Sequence, residues 1–218
     1  MKKLLVLSMA MMLSMTMTAQ EKIEEGIMTI KQTISSDNEQ MNAQLASMSP
    51  PDSKTYFKDD KSRSDTSSIM TGDITIIING AEKQMLMLMD QPAMGKKYML
   101  QSTDPSAEDM ENVKVEKGNE TKTILGYDCQ QYMVTMTQNG QDVEMEMFTT
   151  DKISAISQNT TAMGAKVEGF PLYYVLKMSQ MGANLEITSE VIKIDKVSVS
   201  DDKFSMIPPE GYTKIEGM

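Results

Sequence analysis

The stretch Ile74-Thr75-Ile76-Ile77-Ile78-Asn79-Gly80-Ala81-Glu82-Lys83-Gln84-Met85-Leu86-Met87-Leu88-Met89 decides the fold. Two apolar runs, residues 74–78 and 84–89, flank Asn79-Gly80. Asn-Gly in that setting is the strongest short-range hairpin signal, because both residues tolerate the positive φ of a type I′ turn. Side chains two apart along a strand share a face, so Ile76 and Ile78 stand together on one strand and Met85, Met87 and Met89 on the other.

Hairpins recur on either side. A second Asn-Gly, Asn139-Gly140, joins residues 131–137 to 142–149, with Val134 and Met136 on one face and Met145 and Met147 likewise. A third turn is expected at Gly182-Ala183-Asn184, between strands 172–178 and 185–199. Residues 27–34 read as a first strand, with Ile30, Gln32 and Ile34 on one face. Ser36 with Glu39 forms a capping box, and Met41, Leu45 and Met48 then place one apolar stripe on a helix over residues 37–48, stopped by Pro50-Pro51. The polar stretch 55–67 reads as one exposed or edge strand, 97–101 as another strand, and 105–112 as helical turns introduced by Asp104. Residues 158–169 are small and polar, with at most a turn of helix. No repeat, linker or low-complexity block divides the chain. The expectation is one mainly β domain with short helices (α+β), built as an antiparallel sheet of at least eight strands. The sheet must curl, because a flat one would leave an apolar face in water, and the stripe of the first helix suits it to cover the concave side.

Residues 1–19 speak to compartment. Lys2-Lys3 lead into a Leu/Val/Met run too short for a bilayer, then into Thr18-Ala19, the pattern of a secretory signal peptide. The mature chain, residues 20–218, is expected to be periplasmic or secreted and soluble, with no transmembrane anchor. Acylation as a bacterial lipoprotein would need a cysteine where Gln20 stands.

Composition excludes several function classes. The 218 residues carry a net charge of −10, and loss of Lys2 and Lys3 would leave 19 basic against 31 acidic residues, a balance of −12. Such a surface repels phosphate backbones, so nucleic acid is a poor partner. Histidine is absent, which removes Ser-His-Asp and Cys-His catalysis and the commonest ligand for zinc, copper and iron. The acids are spread through strands and turns without marking out a catalytic pair, so no enzyme activity and no cofactor are expected. Cys129 is the only cysteine; lacking a second Cys or an adjacent Lys or Arg, it reads as a small buried hydrophobe.

Methionine is abundant: 25 residues, 19 of them beyond the leader. One reading makes Met core filler in a chain with no Trp and four Phe. Another makes the thioethers the lining of a cavity for apolar ligands, since unbranched Met re-packs around varied contents. Cu(I) binding would require three sulfurs to converge, whereas same-face strand neighbours stand roughly 6.5 Å apart.

The run Thr123-Ile124-Leu125-Gly126-Tyr127-Asp128-Cys129-Gln130-Gln131-Tyr132, the later Gly169-Phe170-Pro171-Leu172, and the closing Phe204-Ser205-Met206-Ile207-Pro208-Pro209-Glu210-Gly211-Tyr212 resemble an exported domain of unknown function, similar to the superfamily of outer-membrane lipoprotein carriers of the Lol type. The resemblance spans most of the chain beyond the leader. It implies an open half-barrel, one curved antiparallel sheet covered by one or two helices, around an apolar cavity that receives acyl chains. Phe148 stands where many relatives have Trp, and the carriers' coupling arginine has no match, since Arg63, beside Asp65, is the only arginine. The motif residues also have structural readings. Gly126 would permit a bulge or close approach, Pro208-Pro209 would end a strand, and Gly211 would turn Tyr212 against the sheet edge.

The expected function is a periplasmic binding protein holding a lipid or lipoprotein acyl chain. Its lining would be Ile76, Ile78, Met85, Met87, Met89, Val134, Met136, Met145 and Met147, with Met41 and Leu45 as lid. The alternatives are a filled-core protein presenting a surface to another envelope protein and, behind it, a Cu(I)-handling protein.

Overall fold

The structure is a computed structural model and describes residues 20–47, 51–68, 72–138, 141–180 and 183–215. The expected leader, Met48, Asn139-Gly140 and Gly182 lie outside those residues. The described chain is mainly β. Strands β1 (Glu25–Ser36), β2 (Ser53–Lys58), β3 (Lys61–Ser68), β4 (Gly72–Asn79), β5 (Gln84–Gln91) and β6 (Gly95–Ser102) run as one meander. A second comprises β7 (Val113–Ile124), β8 (Tyr127–Gln138), β9 (Gln141–Thr150), β10 (Phe170–Gln180) and β11 (Ala183–Asp195). The helices are α1 (Glu39–Ser47), α2 (Ala107–Glu111) and α3 (Gln158–Thr161). The first strand pairs with the eleventh, so both meanders form one open sheet in the order β12-β6-β5-β4-β3-β2-β1-β11-β10-β9-β8-β7. The two-residue β12 (Thr213–Lys214) adds to β6 in parallel; the other neighbours are antiparallel.

This sheet is strongly bent. Met85 of β5 and Met136 of β8 line the same cavity although eight places separate their strands in the order. In a flat sheet, eight spacings of ~4.8 Å would hold them ~38 Å apart. Inside the bend, the connection between β9 and β10 fills space: Met163 and Val167 pack on Tyr132, Val134, Met145 and Met147. Ile153 and Ala155 of the same connection join a cluster with Met28, Phe57, Leu172 and Val191. On the opposite face, residues 196–212 form a strap whose Val199 and Phe204 bury Ile77, Leu86 and Leu88. Polar contacts hold it. Glu25 accepts from Val199 N and from Ser198 Oγ, Lys58 Nζ lies 3.1 Å from Asp201 Oδ1, and Arg63 Nη1 donates to Lys203 O at 3.4 Å. No helix among the described residues is long and apolar enough to cross a membrane.

Several expectations are corrected. Residues 55–67 are two central strands, β2 and β3, folded at Asp59-Asp60, where Asp59 takes φ 52°. Asp tolerates that conformation, and Phe57 is wholly buried. Asn79-Gly80 is not a two-residue turn. Asn79 pairs with Gln84 across a four-residue loop in which Lys83 takes the positive φ. Gly80 serves for close packing, because a Cβ there would lie 2.6 Å from Ile156 Cδ1 and 2.9 Å from Asp60 O. The third hairpin is tighter than expected, with Gln180 opposite Ala183. Its second strand ends at Asp195, where the strap begins. Pro208-Pro209 therefore follow a 3-10 turn (Asp201–Phe204) and end no strand, while Tyr212 does tuck onto the sheet beside β12. The cap of α1 is Asn38, whose Oδ1 accepts from Gln40 N and Met41 N at 3.0 and 3.2 Å; Ser36 Oγ instead accepts from Asn38 N. The sequence reading left out β7, twelve residues along one sheet edge.

Candidate functional site

Cross-strand partners directly opposite one another share a face, so the register settles which side chains point into the bend. On one side, Ile76 faces Met87 and Ile78 faces Met85; Met87 in turn faces Met99. On the other, Val134 faces Met145, Met136 faces Val143 and Tyr132 faces Met147. Tracing pairs from Ile76 through Ser64, Thr55, Met28 and Ile194, and from Gln32 through Ser189 to Tyr174 and Met147, keeps one face throughout. The nine expected strand residues, Ile76, Ile78, Met85, Met87, Met89, Val134, Met136, Met145 and Met147, therefore share the inner face.

They do not share one environment. Val134, Met145 and Met147 are buried beneath Met163 and Val167, and Met136 packs beside them, so this half of the lining is filled core. Ile76, Met87 and Met89, with Ile74 and Met99, are partly exposed and belong to no core cluster of described residues. They form a contiguous band on β4, β5 and β6, in which Ile74 faces Met89 and Met87 faces Met99. Ile78 and Met85 are buried beside this band. Each lines a different cavity.

The first cavity, about 430 Å³, sits where the two ends of the sheet approach one another; Met85 and Gln101 form one wall, Val113 and Met136 the other, with Gln158 and Thr161 of α3 between. The second, about 170 Å³, lies deeper on the inner face, where Ile76 and Ile78 meet Thr55, Ser62, Ser64, Tyr174 and Ser189 under residues 156–159. These hydroxyls were missed from sequence. Their signal was the alternation Ser62, Ser64, Thr66, which set three small polar groups on one face of a strand. Met99 was missed as well, although it stands in an expected strand two residues from Gln101.

The expected lid has another place. Met41 and Leu45 are partly buried on α1, which packs on β1, and no described residue of α1 lines either cavity. The β9–β10 connection supplies the cover instead, with Ile156 over the deeper cavity. Arg63 pairs with Asp65, its Nε 2.9 Å from Asp65 Oδ1, and through its bond to Lys203 O anchors the strap on the outer face.

Cys129 is 1 % exposed, and burial pushes its thiol up to about 11, so it stays protonated near neutral pH. Gly126 is no bulge. It forms a two-residue turn with Leu125, both at positive φ (83° and 49°), and nothing stands within 4 Å of a Cβ built on it. Gly169 combines positive φ with close approach, since its Cβ would lie 2.4 Å from Thr150 O. Among the described residues, no three or more Cys, Asp or Glu side chains gather as a metal site. On the inner face, Met85, Met87 and Met89 spread along β5 rather than converging on one point.

No curated protein matches this chain. Among solved structures, PNGF-II in a P21 crystal form is 12 % identical with a TM-score of 0.54, covering 89 % of this chain and 32 % of that one. PNGF-II in a C2 form is 14 % identical with a TM-score of 0.48, covering 88 % and 31 %. The chain spans about a third of that protein's length, and at 12 % identity the P21 likeness shows the fold alone. Residues 25–212 match the model of Domain of unknown function (DUF4412), and the chain belongs to that family.

Proposed function

We propose that this chain is an exported, periplasmic binding module of the lipoprotein-carrier kind, a half-barrel that holds a lipophilic chain against the inner face of its sheet. The observation that carries this reading is the band of Ile74, Ile76, Met87, Met89 and Met99, apolar, inward-facing and outside the packed core. Met suits this use, because its three rotatable bonds adapt to contents of different shape. Half-enclosing about ten methylenes there would gain roughly 4 kcal/mol without a single specific hydrogen bond. The band ends at the seam cavity of about 430 Å³, which offers a chain end a place to emerge or bend.

The filled-core alternative draws on the other half of the sheet, where Met163 and Val167 occupy the bend. It calls for a surface to present. The long free edge is β7, whose Lys114, Glu116, Lys117, Glu120 and Lys122 are all exposed, the pattern that discourages addition of a foreign strand.

Native mass spectrometry of the protein purified from its own envelope tests the carrier reading, together with uptake of a fluorescent neutral lipid. The expected result is a bound amphiphile and saturable uptake. A clean ligand-free mass with no uptake overturns it.

A further inference from the structure

The deeper cavity has a chemistry that an acyl chain alone does not explain. Its lining among the described residues carries no charged side chain, yet polar groups outnumber apolar ones, among them Gln32, Thr55, Ser62, Ser64, Thr66 and Tyr174. Burying hydroxyls is costly unless each finds a partner. Among the described residues no buried side-chain oxygen lacks a partner, but donor capacity is left over. Thr55 Oγ1 and Ser64 Oγ share one bond of 2.8 Å, Ser62 Oγ accepts from Ile156 N at 2.6 Å, and Tyr174 accepts from Gln32 Nε2 at 3.4 Å. Ser62 and Tyr174 accept in these contacts and keep their own O–H to donate; one hydroxyl of the Thr55–Ser64 pair does likewise. The hollow thus offers donors and acceptors together, without charge.

Its neighbour is the apolar band. Ser64 faces Ile76, which faces Met87, which faces Met99; Thr66 faces Ile74, which faces Met89. The wall changes from hydroxyl to hydrocarbon within one strand spacing, ~4.8 Å. We propose, resting on the carrier reading above, that the ligand is an amphiphile with a small uncharged hydroxyl-bearing head. The head sits in the 170 Å³ cavity and the tail crosses β4 to β6. A glycerol-sized head fits this chemistry. An anionic head does not, because the cavity supplies no counter-ion and the whole chain carries −10. The inner-face cation along this row, Lys97, lies at the far end opposite Met89 and already donates to Thr213 Oγ1 at 2.9 Å.

The test compares three probes with the same twelve-carbon tail, 1-lauroylglycerol, laurate and dodecyl phosphate, by displacement of a bound fluorescent lipid at neutral pH. The expected order places the neutral probe about tenfold tighter than either anion. Thr66→Val keeps the shape and removes one lining hydroxyl, and is expected to narrow that preference about threefold. Equal affinities, tighter anion binding, or an unchanged preference in Thr66→Val would each overturn the head assignment while leaving the carrier reading intact. Failure of all three probes to bind would overturn both.

Discussion

Truncating Met147 and Met87 separately separates packed core from ligand lining, since the two residues share a face but not a surrounding. Met147 is fully buried among Tyr132, Val134, Met145, Met163 and Val167. Met147→Ala removes three heavy groups, worth about 2 kcal/mol in transfer. A void of ~60 Å³ that neighbours cannot close adds about 1.5 kcal/mol at ~24 cal/mol per Å³. The expected loss is therefore about 3–4 kcal/mol. Met87 faces Ile76 and Met99 but is partly exposed and outside every core cluster of described residues, so Met87→Ala leaves a space that solvent fills. Only part of the transfer term is lost, about 1 kcal/mol. With an m-value of about 3 kcal/mol/M, urea midpoints should fall by about 1 M for Met147→Ala and about 0.3 M for Met87→Ala. Uptake of a fluorescent neutral lipid should change in the opposite order, reduced in Met87→Ala and retained in Met147→Ala wherever that variant is folded. If Met87→Ala costs as much stability as Met147→Ala, the band on β4 to β6 is ordinary core and the lining argument fails.

The motif glycines should divide by cause. Gly126→Ala meets nothing and pays only for its positive φ, about 1 kcal/mol, whereas Gly169→Ala also drives a Cβ to 2.4 Å from Thr150 O and should cost at least about twice as much. Melting temperatures that fall equally would contradict the close approach at Gly169. Glu25 is held below the usual carboxylate range by the amide of Val199, then by Ser198. A lowered folded value means the contact stabilises the strap above the unfolded value of ~4.3 and is lost as pH falls through the lower one. The protection of the Val199 amide, measured against its intrinsic exchange rate at each pH, should fall on acidification in the native protein and lose that pH dependence in Glu25→Gln; protection independent of pH in the native protein refutes the assignment. Lys58, raised by its bond to Asp201, acts oppositely, its part persisting until alkaline pH strips its proton. Finally, Cys129 should resist a thiol reagent at pH 8 until urea unfolds the chain, and immediate labelling of the native protein would show that its burial is wrong.

Face assignment was legible where side chains alternate in kind. The pairs Ile76–Ile78, Met85–Met87–Met89 and Met145–Met147 fixed the inner face, and tertiary structure had no reason to override a phase that buried so much hydrocarbon. Cover was not legible. Residues 151–169 look like loop because small and polar residues break up every apolar run, yet Ile153, Ala155, Met163 and Val167 fill the bend; isolated apolar residues in a loop have no periodicity to announce a destination. In sequence the strap reads partly as strand because Val197 and Val199 alternate with Ser198 and Ser200, but only Val199 and Phe204 are buried, and among the described residues no strand pairs with it there. Asn79-Gly80 misled for a local reason, since Gly80 answers to crowding by Ile156 and Asp60 and not to turn geometry.

The two hardest strands to place explain one another. Residues 74–78 and 84–89 are apolar on both faces, and a strand of that kind requires both faces covered. The strap covers Ile77, Leu86 and Leu88 outside, while inside Ile74, Ile76, Met87 and Met89 face the bend with no described core against them. Beside them β3 is polar on both faces, which in sequence suggests an edge, yet it is central. Its outer Arg63 and Asp65 neutralise each other and tie down the strap, and its inner Ser62, Ser64 and Thr66 look into the small cavity. A central strand gains nothing from hydroxyls when Val would fill the space more cheaply, so their presence in the wall next to an open hydrocarbon band is the observation on which the proposed two-part ligand rests.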